Sequence, residues 1–235
     1  MIPPVACNDV DPVQTSSSTS PGRFAFSREA FRSFRVTGAI APSSRRLAAR
    51  LAAPLLPPQH RPPARVLEVG AGSGVVTREL ADRIGPADRL DVVEINPHYV
   101  RMLDTALRTE FALSAVADRI ALHEVSVLDA PLEPRYDVVV SGLPFTNFEP
   151  EQVRALLDRH LELLVPGGHL TFFGYLGTQR ARALVSGPTE SRRHRAAMEV
   201  EREFVERYGL GRSTVWWNLP PAHVWHLRAP AAEDR

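Results

Sequence analysis

The chain has 235 residues, of which 44% are hydrophobic and 23% are charged, and its formal net charge at pH 7 is +1. This composition excludes wholesale disorder, and the near-zero net charge does not indicate a nucleic-acid partner. A single cysteine excludes an intrachain disulfide and a thiolate metal cluster. We expect neither a secretory signal nor a membrane-spanning segment, and therefore a cytoplasmic location.

The first 63 residues divide into two parts by composition. Residues 1–22 have few bulky apolar side chains and a serine-rich run, which is typical of a disordered tail. Residues 23–63 are predicted to be an amphipathic helical arm that ends in a stiff proline-rich linker. Residues 23–35, here called the Arg–Phe segment, contain four arginines and four phenylalanines. We expect this segment either to lie on an anionic membrane surface or to close over a ligand pocket.

From residue 64 onward, short apolar runs alternate with segments of helical periodicity, which predicts a parallel sheet covered by helices on both faces. The predicted strands are 65–69, 89–93, 120–123, 136–141, 169–174, 213–217 and 222–227, and the predicted helices are 74–84, 97–111, 150–164 and 189–208. Because so few residues join the last two strands, these strands must be antiparallel. We therefore predict an α/β fold with a seven-stranded, mostly parallel sheet whose last strand is antiparallel.

Three tryptophans fall in the last two predicted strands. Trp216, Trp217 and Trp225 are expected to be core residues rather than ligand contacts. The turn between the two strands, residues 218–221, leaves the carboxyl end of a parallel strand. It should therefore lie on the same rim of the sheet as Pro144.

The most specific local signal is a glycine-rich run after the first predicted strand. Residues 68–74 read Glu-Val-Gly-Ala-Gly-Ser-Gly, and the bare backbone lets a nucleotide-type ligand approach closely. Glu94 ends the second strand, where a carboxylate accepts hydrogen bonds from a ribose diol. The spacing differs from that of dinucleotide sites, and the acidic Glu68 would repel phosphate but attract an ammonium group. S-adenosylmethionine has an ammonium group, a ribose diol, an adenine and no phosphate, so the pattern favours it over NAD.

This run resembles the first two motifs of class I S-adenosylmethionine-dependent methyltransferases, and the element order agrees over residues 64–228. The resemblance implies a Rossmann-like methyltransferase domain at residues 64–235 with S-adenosylmethionine as cofactor. The cofactor-binding residues implied are Glu68, Gly70, Ala71, Gly72 and Gly74 for the methionine part, Glu94 for the ribose, Ser126 for the adenine, and Ser141 at the end of the fourth strand. Asp129 is the alternative to Ser126 at the adenine.

The segment after the fourth predicted strand bears on the acceptor. Residues 141–145, Ser-Gly-Leu-Pro-Phe, are similar to the Asn-Leu-Pro-Tyr type motif of methyltransferases that modify amino nitrogens, with Gly142 at the Asn position. The Ser-Gly-Leu-Pro variant instead resembles bacterial phospholipid N-methyltransferases, as do residues 37–44, 170–175 and 218–222. This resemblance implies a head group of the phosphatidylethanolamine type as the methyl acceptor.

The catalytic residues implied are Pro144, Phe145 and Tyr175, and no metal is required. The Phe145 ring would hold the growing ammonium group by cation–π attraction. The Tyr175 phenol would orient the amine or help it to lose a proton, although an ordinary strand residue explains it equally well.

Three alternative functions remain open. A small-molecule methyltransferase of the same fold is favoured by the polar pair Thr146-Asn147. An RNA adenine N6-methyltransferase is disfavoured by Gly142, which makes nucleic acid an unexpected partner. A cofactor-binding module without catalytic activity is disfavoured by the intact loop at Pro144.

Overall fold

The computed structural model describes residues 44–133, 135–176 and 188–231. The predicted tail at residues 1–22 and the Arg–Phe segment lie outside the described residues.

Seven strands and six helices follow one another along the described residues. The strands are β1 Arg65–Val69, β2 Arg89–Glu94, β3 Ile120–Glu124, β4 Tyr136–Ser141, β5 Leu164–Tyr175, β6 Gly209–Val215 and β7 Ala222–Arg228. The helices are α1 Arg45–Leu51, α2 Val75–Ala81, α3 Pro97–Thr109, α4 Phe111–Ser114, α5 Pro150–Leu163 and α6 Pro188–Tyr208, and three short 3-10 helices span Pro58–His60, Ala117–Arg119 and Phe145–Asn147. No helix in the described ranges combines the length and the apolar character needed to cross a bilayer.

All seven strands belong to one sheet, in the order β3-β2-β1-β4-β5-β7-β6. Strands β1 to β5 are parallel to one another, and β7 is antiparallel to both of its neighbours, β5 and β6. The predicted seven-stranded, mostly parallel sheet with a reversed last strand is therefore confirmed. The strand order reverses between β1 and β4, and in open sheets of this kind ligands bind at that point, beyond the carboxyl ends of the strands.

Most of the predicted elements are present, with shifts at their ends. The largest shift is in β5, which begins at Leu164 because the Pro-Gly-Gly turn continues into the sheet instead of preceding it. The core prediction for Trp216 and Trp217 is wrong, since β6 ends at Val215 and both side chains are exposed in the following turn. Trp225 lies in β7 and is partly buried.

Helices pack on both faces of the sheet, and α1 belongs to this packing. Leu47, Ala48 and Leu51 are fully buried in the core on the α1, α2 and α3 side. The Thr171 hydroxyl in β5 donates to the Leu51 carbonyl oxygen at 2.7 Å, which ties α1 to the sheet. Residues 44–63 therefore pack with the folded domain, and the proline-rich stretch, predicted to be a stiff linker, is held against it.

A buried carboxylate holds the proline-rich stretch in place. Asp88 accepts hydrogen bonds from Arg61 Nη1 at 2.8 Å and Nη2 at 2.6 Å, from the Ala64 N–H at 2.7 Å and from the Gly85 N–H at 2.6 Å. Burial alone would raise the pKa of Asp88, but these hydrogen bonds and the Arg61 charge outweigh it and hold the pKa at about 2. The start of β1 is thus fixed to the connection that leads into β2.

We expect Asp88→Ala to lower the free energy of unfolding by about 3–5 kcal/mol, because it leaves Arg61 and two backbone N–H groups without their buried partner. Urea denaturation near neutral pH measures the change. Asp104→Ala is the control, since it breaks an exposed pair with Arg108 and should cost about 0.5 kcal/mol or less. Equal losses in the two variants would contradict this assignment.

Candidate functional site

The carboxyl ends of four adjacent strands lie at one level. Val69 in β1 pairs with Val93 in β2 and with Ser141 in β4, and Val93 pairs with His123 in β3. The segments that follow these strands therefore lie side by side. We call them the strand-end rim, comprising residues 70–74, 94–96, 125–129 and 141–145. Every residue that the sequence assigns to the cofactor lies on this rim, apart from Glu68, which lies just before it in β1.

Two glycines bring the loops after β1 and β4 into backbone contact. The Gly142 N–H donates to the Val69 carbonyl at the end of β1 at 2.8 Å, while the Gly70 N–H donates to the Val93 carbonyl of β2, also at 2.8 Å. A Cβ atom on Gly142 would lie only 2.5 Å from the Gly70 carbonyl oxygen, which no side chain could tolerate. Gly142 is therefore required by the close approach of two loops, a role that sequence reasoning missed when it treated this residue as an altered amine clamp.

Gly72 and Glu94 form the open side of the glycine loop. Gly72 has a φ of +53°, and a Cβ atom there would meet no heavy atom within 4 Å, so space is open beside it. Glu94 Oε2 accepts from the Gly72 N–H and Oε1 accepts from the Asn96 N–H, both at 2.8 Å. Because a carboxylate has about four acceptor positions, Glu94 can brace the loop and still accept from two hydroxyl groups.

Glu94 is buried, and its charge is supported by backbone groups. Burial raises the pKa of Glu94, while the N–H groups of Asn96, Gly72 and Ile95 act in the opposite direction. Glu94 lies at the end of β2, where the sequence predicts it. Its role toward a ribose stays a prediction.

Glu68 is placed differently from what its charge suggests. The side chain is 1% exposed, and neither carboxyl oxygen has a hydrogen-bond partner among the described residues. Burial raises the pKa of Glu68 to about 8, and the neighbouring charge of Glu94 adds to the rise. The nearby Thr77 acts to lower the pKa of Glu68, although no hydrogen bond of normal geometry joins the Glu68 and Thr77 side chains. The expected negative charge is therefore corrected: at pH 7 the buried carboxyl is mostly protonated.

Some of the buried polar atoms that lack a hydrogen-bond partner lie near the strand-end rim. The hydroxyl of Ser141 is buried without a partner among the described residues, as are the Thr77 hydroxyl and the Glu68 carboxyl. Buried polar groups in folded proteins are nearly always hydrogen-bonded. These atoms, together with the open space at Gly72, fit a ligand that carries both an ammonium group and hydroxyl groups. In the part of the chain that the structure describes, no group of three or more His, Cys, Asp or Glu side chains could hold a metal ion.

Both candidates for the adenine lie after β3. The Ser126 hydroxyl accepts from the Leu128 N–H at 3.3 Å, and the Ser126 carbonyl accepts from the N–H groups of Asp129 and Ala130 at 2.9 and 2.8 Å. Ser126 thus organises the turn that also positions Asp129. Both residues are partly exposed on the rim, and the choice between them stays a prediction.

The predicted catalytic residues lie in different surroundings. Phe145 is 1% exposed and packs edge-on against Phe172 and His160, with ring centroids 5.2 and 6.2 Å away. The predicted cation–π contact needs an accessible ring face, whereas this ring lies in the core between the sheet and α5. Pro144 is buried immediately before it.

Tyr175 lies at the end of β5, partly buried on the α1 face, with its ring edge-on to Phe173 at 5.1 Å. Burial raises the pKa of Tyr175. The phenol therefore stays protonated at neutral pH, where it can donate a hydrogen bond but cannot act as a ready base.

We expect the stability of the Glu68→Gln variant, measured relative to that of the parent chain, to increase as the pH rises from about 5 to about 8. The folded pKa of about 8 lies above the ordinary value of 4.5, so between these values the unfolded chain binds fewer protons and the parent loses stability. The difference grows by at most about 1.4 kcal/mol per pH unit. Thermal melting across this pH range measures it. Glu124→Gln, at an exposed position in β3, is the control and should show no such trend.

Comparison with known proteins agrees with this geometry. Residues 66–168 match the family model described as a methyltransferase domain. Ornithine lipid N-methyltransferase from Singulisphaera acidiphila is 37% identical over 107 residues, which cover 44% of this chain and 53% of that protein. The tRNA1(Val) (adenine(37)-N6)-methyltransferase from Actinobacillus pleuropneumoniae is 28% identical over 108 residues, which cover 43% of this chain and 44% of that protein. The chain spans about half the length of these curated relatives.

Solved structures with low sequence identity have the same fold. An O-methyltransferase from Bacillus cereus in complex with S-adenosylhomocysteine has a TM-score of 0.59 at 13% identity, over 90% of this chain and 94% of that one. An O-methyltransferase from Streptomyces achromogenes, involved in tomaymycin synthesis and solved with S-adenosylmethionine, has a TM-score of 0.56 at 17% identity, over 86% and 88%. The matched domain, the relatives and the sheet topology together show that the chain contains a class I S-adenosylmethionine-dependent methyltransferase domain, as its motifs predict, and that this domain resembles a lipid N-methyltransferase.

Proposed function

We propose that this protein transfers a methyl group from S-adenosylmethionine to the amine of a lipid head group, of the phosphatidylethanolamine type. The observation that carries the proposal is the 37% identity over 107 residues to an ornithine lipid N-methyltransferase. The methyltransferase-domain match at residues 66–168, which include the strand-end rim, supports it. Ornithine and ethanolamine head groups each offer an amine to a methyl donor. The Ser-Gly-Leu-Pro sequence at residues 141–144 supports the same substrate class.

The described residues fit the cofactor in three places. The open backbone at Gly72 leaves room for the ligand, and Glu94 has acceptor positions left for the ribose hydroxyls. Ser126 or Asp129 would receive the adenine amino group. When bound, the cofactor supplies an electrophilic methyl group on a sulfonium. The task left to the protein is to hold the acceptor nitrogen in line with that group and to exclude water.

The loop after β4 and the end of β5 would position the acceptor. Pro144 and Phe145 are buried and apolar, so they limit the access of water from their side. An amine must lose its proton before it can attack, and a protonated Tyr175 cannot remove that proton. Tyr175 would instead donate a hydrogen bond that orients the head group, and the amine would arrive uncharged or pass its proton to solvent.

We also propose that the protein is cytoplasmic and peripheral to the membrane. A lipid acceptor brings the enzyme to a bilayer surface, and the basic and aromatic composition of the Arg–Phe segment suits such a surface. The relative that modifies tRNA makes RNA adenine the second candidate. Gly142 argues against it, because the close approach to Gly70 leaves no room for the side chain of an Asn-type amine clamp.

We expect Glu94→Gln to weaken the binding of S-adenosylhomocysteine by about 10- to 100-fold, because it removes a charged acceptor for the ribose hydroxyls. Isothermal titration calorimetry measures the change. Glu124→Gln is the matched control, since Glu124 pairs with Glu94 across the β2–β3 register but is exposed. Unchanged binding in Glu94→Gln, or no binding by the parent chain, would contradict the proposed cofactor site.

We expect the purified chain to move a radiolabelled methyl group from S-adenosylmethionine into a lipid that co-migrates with N-methylated phosphatidylethanolamine. The assay offers a lipid extract and total tRNA in separate reactions and separates the products by chromatography. Label in tRNA alone would favour the second candidate. No label in lipid, with cofactor binding intact, would reject the lipid acceptor and leave the methyltransferase assignment standing.

A further inference from the structure

The turn between β6 and β7 presents three large apolar side chains to solvent. Trp216 is 69% exposed, Trp217 is 81% exposed and Leu219 is 80% exposed. We call residues 216–221 the Trp turn. Other exposed large apolar residues in the described ranges are scattered along the chain, whereas these three fall within four positions. A cluster of this kind is typical of an interaction surface rather than of an ordinary loop.

Buried hydrogen bonds hold the Trp turn in this conformation. Asn218 is buried between the exposed side chains, and its amide Nδ2 donates to the Pro220 carbonyl at 2.7 Å. Its Oδ1 accepts from the Ser44 N–H at 3.1 Å, which ties the turn to the start of α1. The Leu176 N–H donates to the Pro221 carbonyl at 2.7 Å, which ties the turn to the end of β5. These hydrogen bonds hold the turn in a conformation in which the indoles of Trp216 and Trp217 are exposed to solvent.

The Trp turn lies on the same edge of the sheet as the strand-end rim. β7 is antiparallel to both β5 and β6, so β6 runs in the same direction as β4 and β5 and ends at their carboxyl edge. Ala222, just after the turn, pairs with Tyr175 at the end of β5. A surface that rests on the Trp turn would therefore face the end of the molecule where the acceptor is proposed to bind.

The segments next to the turn are basic and contain no acidic residue. Residues 44–56 and 209–231 have no Asp or Glu. Their arginines form no ion pair within the described residues: Arg45, Arg46, Arg50, Arg212 and Arg228. Arg45 and Arg46 are exposed in the first turn of α1, directly after the Ser44 that binds Asn218. The helix dipole disfavours positive charge at this position, so these side chains are not explained by the stability of α1.

We propose that the Trp turn docks the strand-end rim onto a membrane surface that contains anionic phospholipid. Indole rings are well suited to the boundary between head groups and acyl chains, and Leu219 would enter the apolar layer beside them. Arg45 and Arg46 would reach the anionic head groups. Docking in this way would bring a membrane lipid to the site, and this benefit rests on the proposed function. Docking itself does not depend on that function, because it is measured without methyl transfer.

The test is sedimentation of the full chain with vesicles of phosphatidylcholine, alone or mixed with phosphatidylglycerol. The double variant Trp216→Ser/Trp217→Ser should lower the partition coefficient for mixed vesicles by about tenfold. Phe111→Ser is the matched control, since Phe111 is 90% exposed at the start of α4, far along the chain from the turn. It should change partitioning by less than about twofold.

Arg45→Gln/Arg46→Gln should weaken binding to mixed vesicles and leave binding to neutral vesicles unchanged. Equal pelleting of the double variant and the parent would overturn the proposal.

Fluorescence gives a second, independent measurement, because the chain has three tryptophans and the double variant keeps only Trp225. Mixed vesicles should shift the emission of the parent chain to shorter wavelength and leave that of the double variant unchanged. If acrylamide fails to quench the parent in the absence of vesicles, the turn is covered by another part of the chain or by a second copy. That outcome would also overturn the proposal.

Methyl transfer assayed in parallel separates this proposal from the proposed function. The double variant should lose transfer to phosphatidylethanolamine in vesicles and keep transfer to the same lipid dispersed in detergent. If the parent pellets through the Trp turn but methylates neither preparation, the lipid acceptor fails and the docking surface stands. If both chains methylate vesicle lipid equally, the docking surface fails and the acceptor stands.

Discussion

The contact between the loops after β1 and β4 determines the shape of the candidate site. Two bare backbones meet there, and the Gly142 N–H donates to the Val69 carbonyl at the end of β1. A side chain at Gly142 would separate the loops, since its Cβ would lie 2.5 Å from the Gly70 carbonyl oxygen. Because the strand order reverses at this point, the contact also marks the crevice in which open parallel sheets bind their ligands. The Gly72 space and the Glu94 carboxylate lie next to it.

Local patterns were enough to predict the sheet and the glycine loop. The alternation of apolar runs with helical segments and the brief connection before β7 are properties of neighbouring residues, so strand number and direction could be read from them. Glu94 was placed at the end of β2 for the same reason. The backbone approach of Gly142 to Gly70 could not be predicted, because it joins positions that are remote in sequence.

Burial was the property that the sequence did not reveal. Glu68 was expected to be a charged carboxylate, but the sheet and α2 enclose it and raise its pKa to about 8. Phe145 was expected to hold an ammonium group by cation–π attraction, but its ring packs on Phe172 and His160. Trp216 and Trp217 were expected in the core, but β6 ends one residue before them. For Glu68 and Phe145, residue type was a poor guide because their surroundings come from distant elements. For the two tryptophans, the strand ends earlier than the apolar run predicts.

The corrections change the electrostatic account of the site. The sequence predicted two negative charges beside the glycine loop, whereas the structure has one buried neutral acid and one carboxylate braced by backbone N–H groups. A cationic ligand placed near Glu68 would lower the pKa of that carboxyl and help to ionise it. If Glu94 binds the ribose as proposed, selection of a phosphate-free nucleoside would rest mainly on Glu94 and on the ionisation that the ligand itself induces.

A crystal structure of the chain with S-adenosylhomocysteine tests this account most directly. The account predicts that the ribose hydroxyls lie within hydrogen-bond distance of Glu94, that the ligand occupies the space beside Gly72, and that its ammonium group lies on the Glu68 side of the loop. A ligand bound elsewhere, or a Glu94 carboxylate turned away from the ribose, would contradict it.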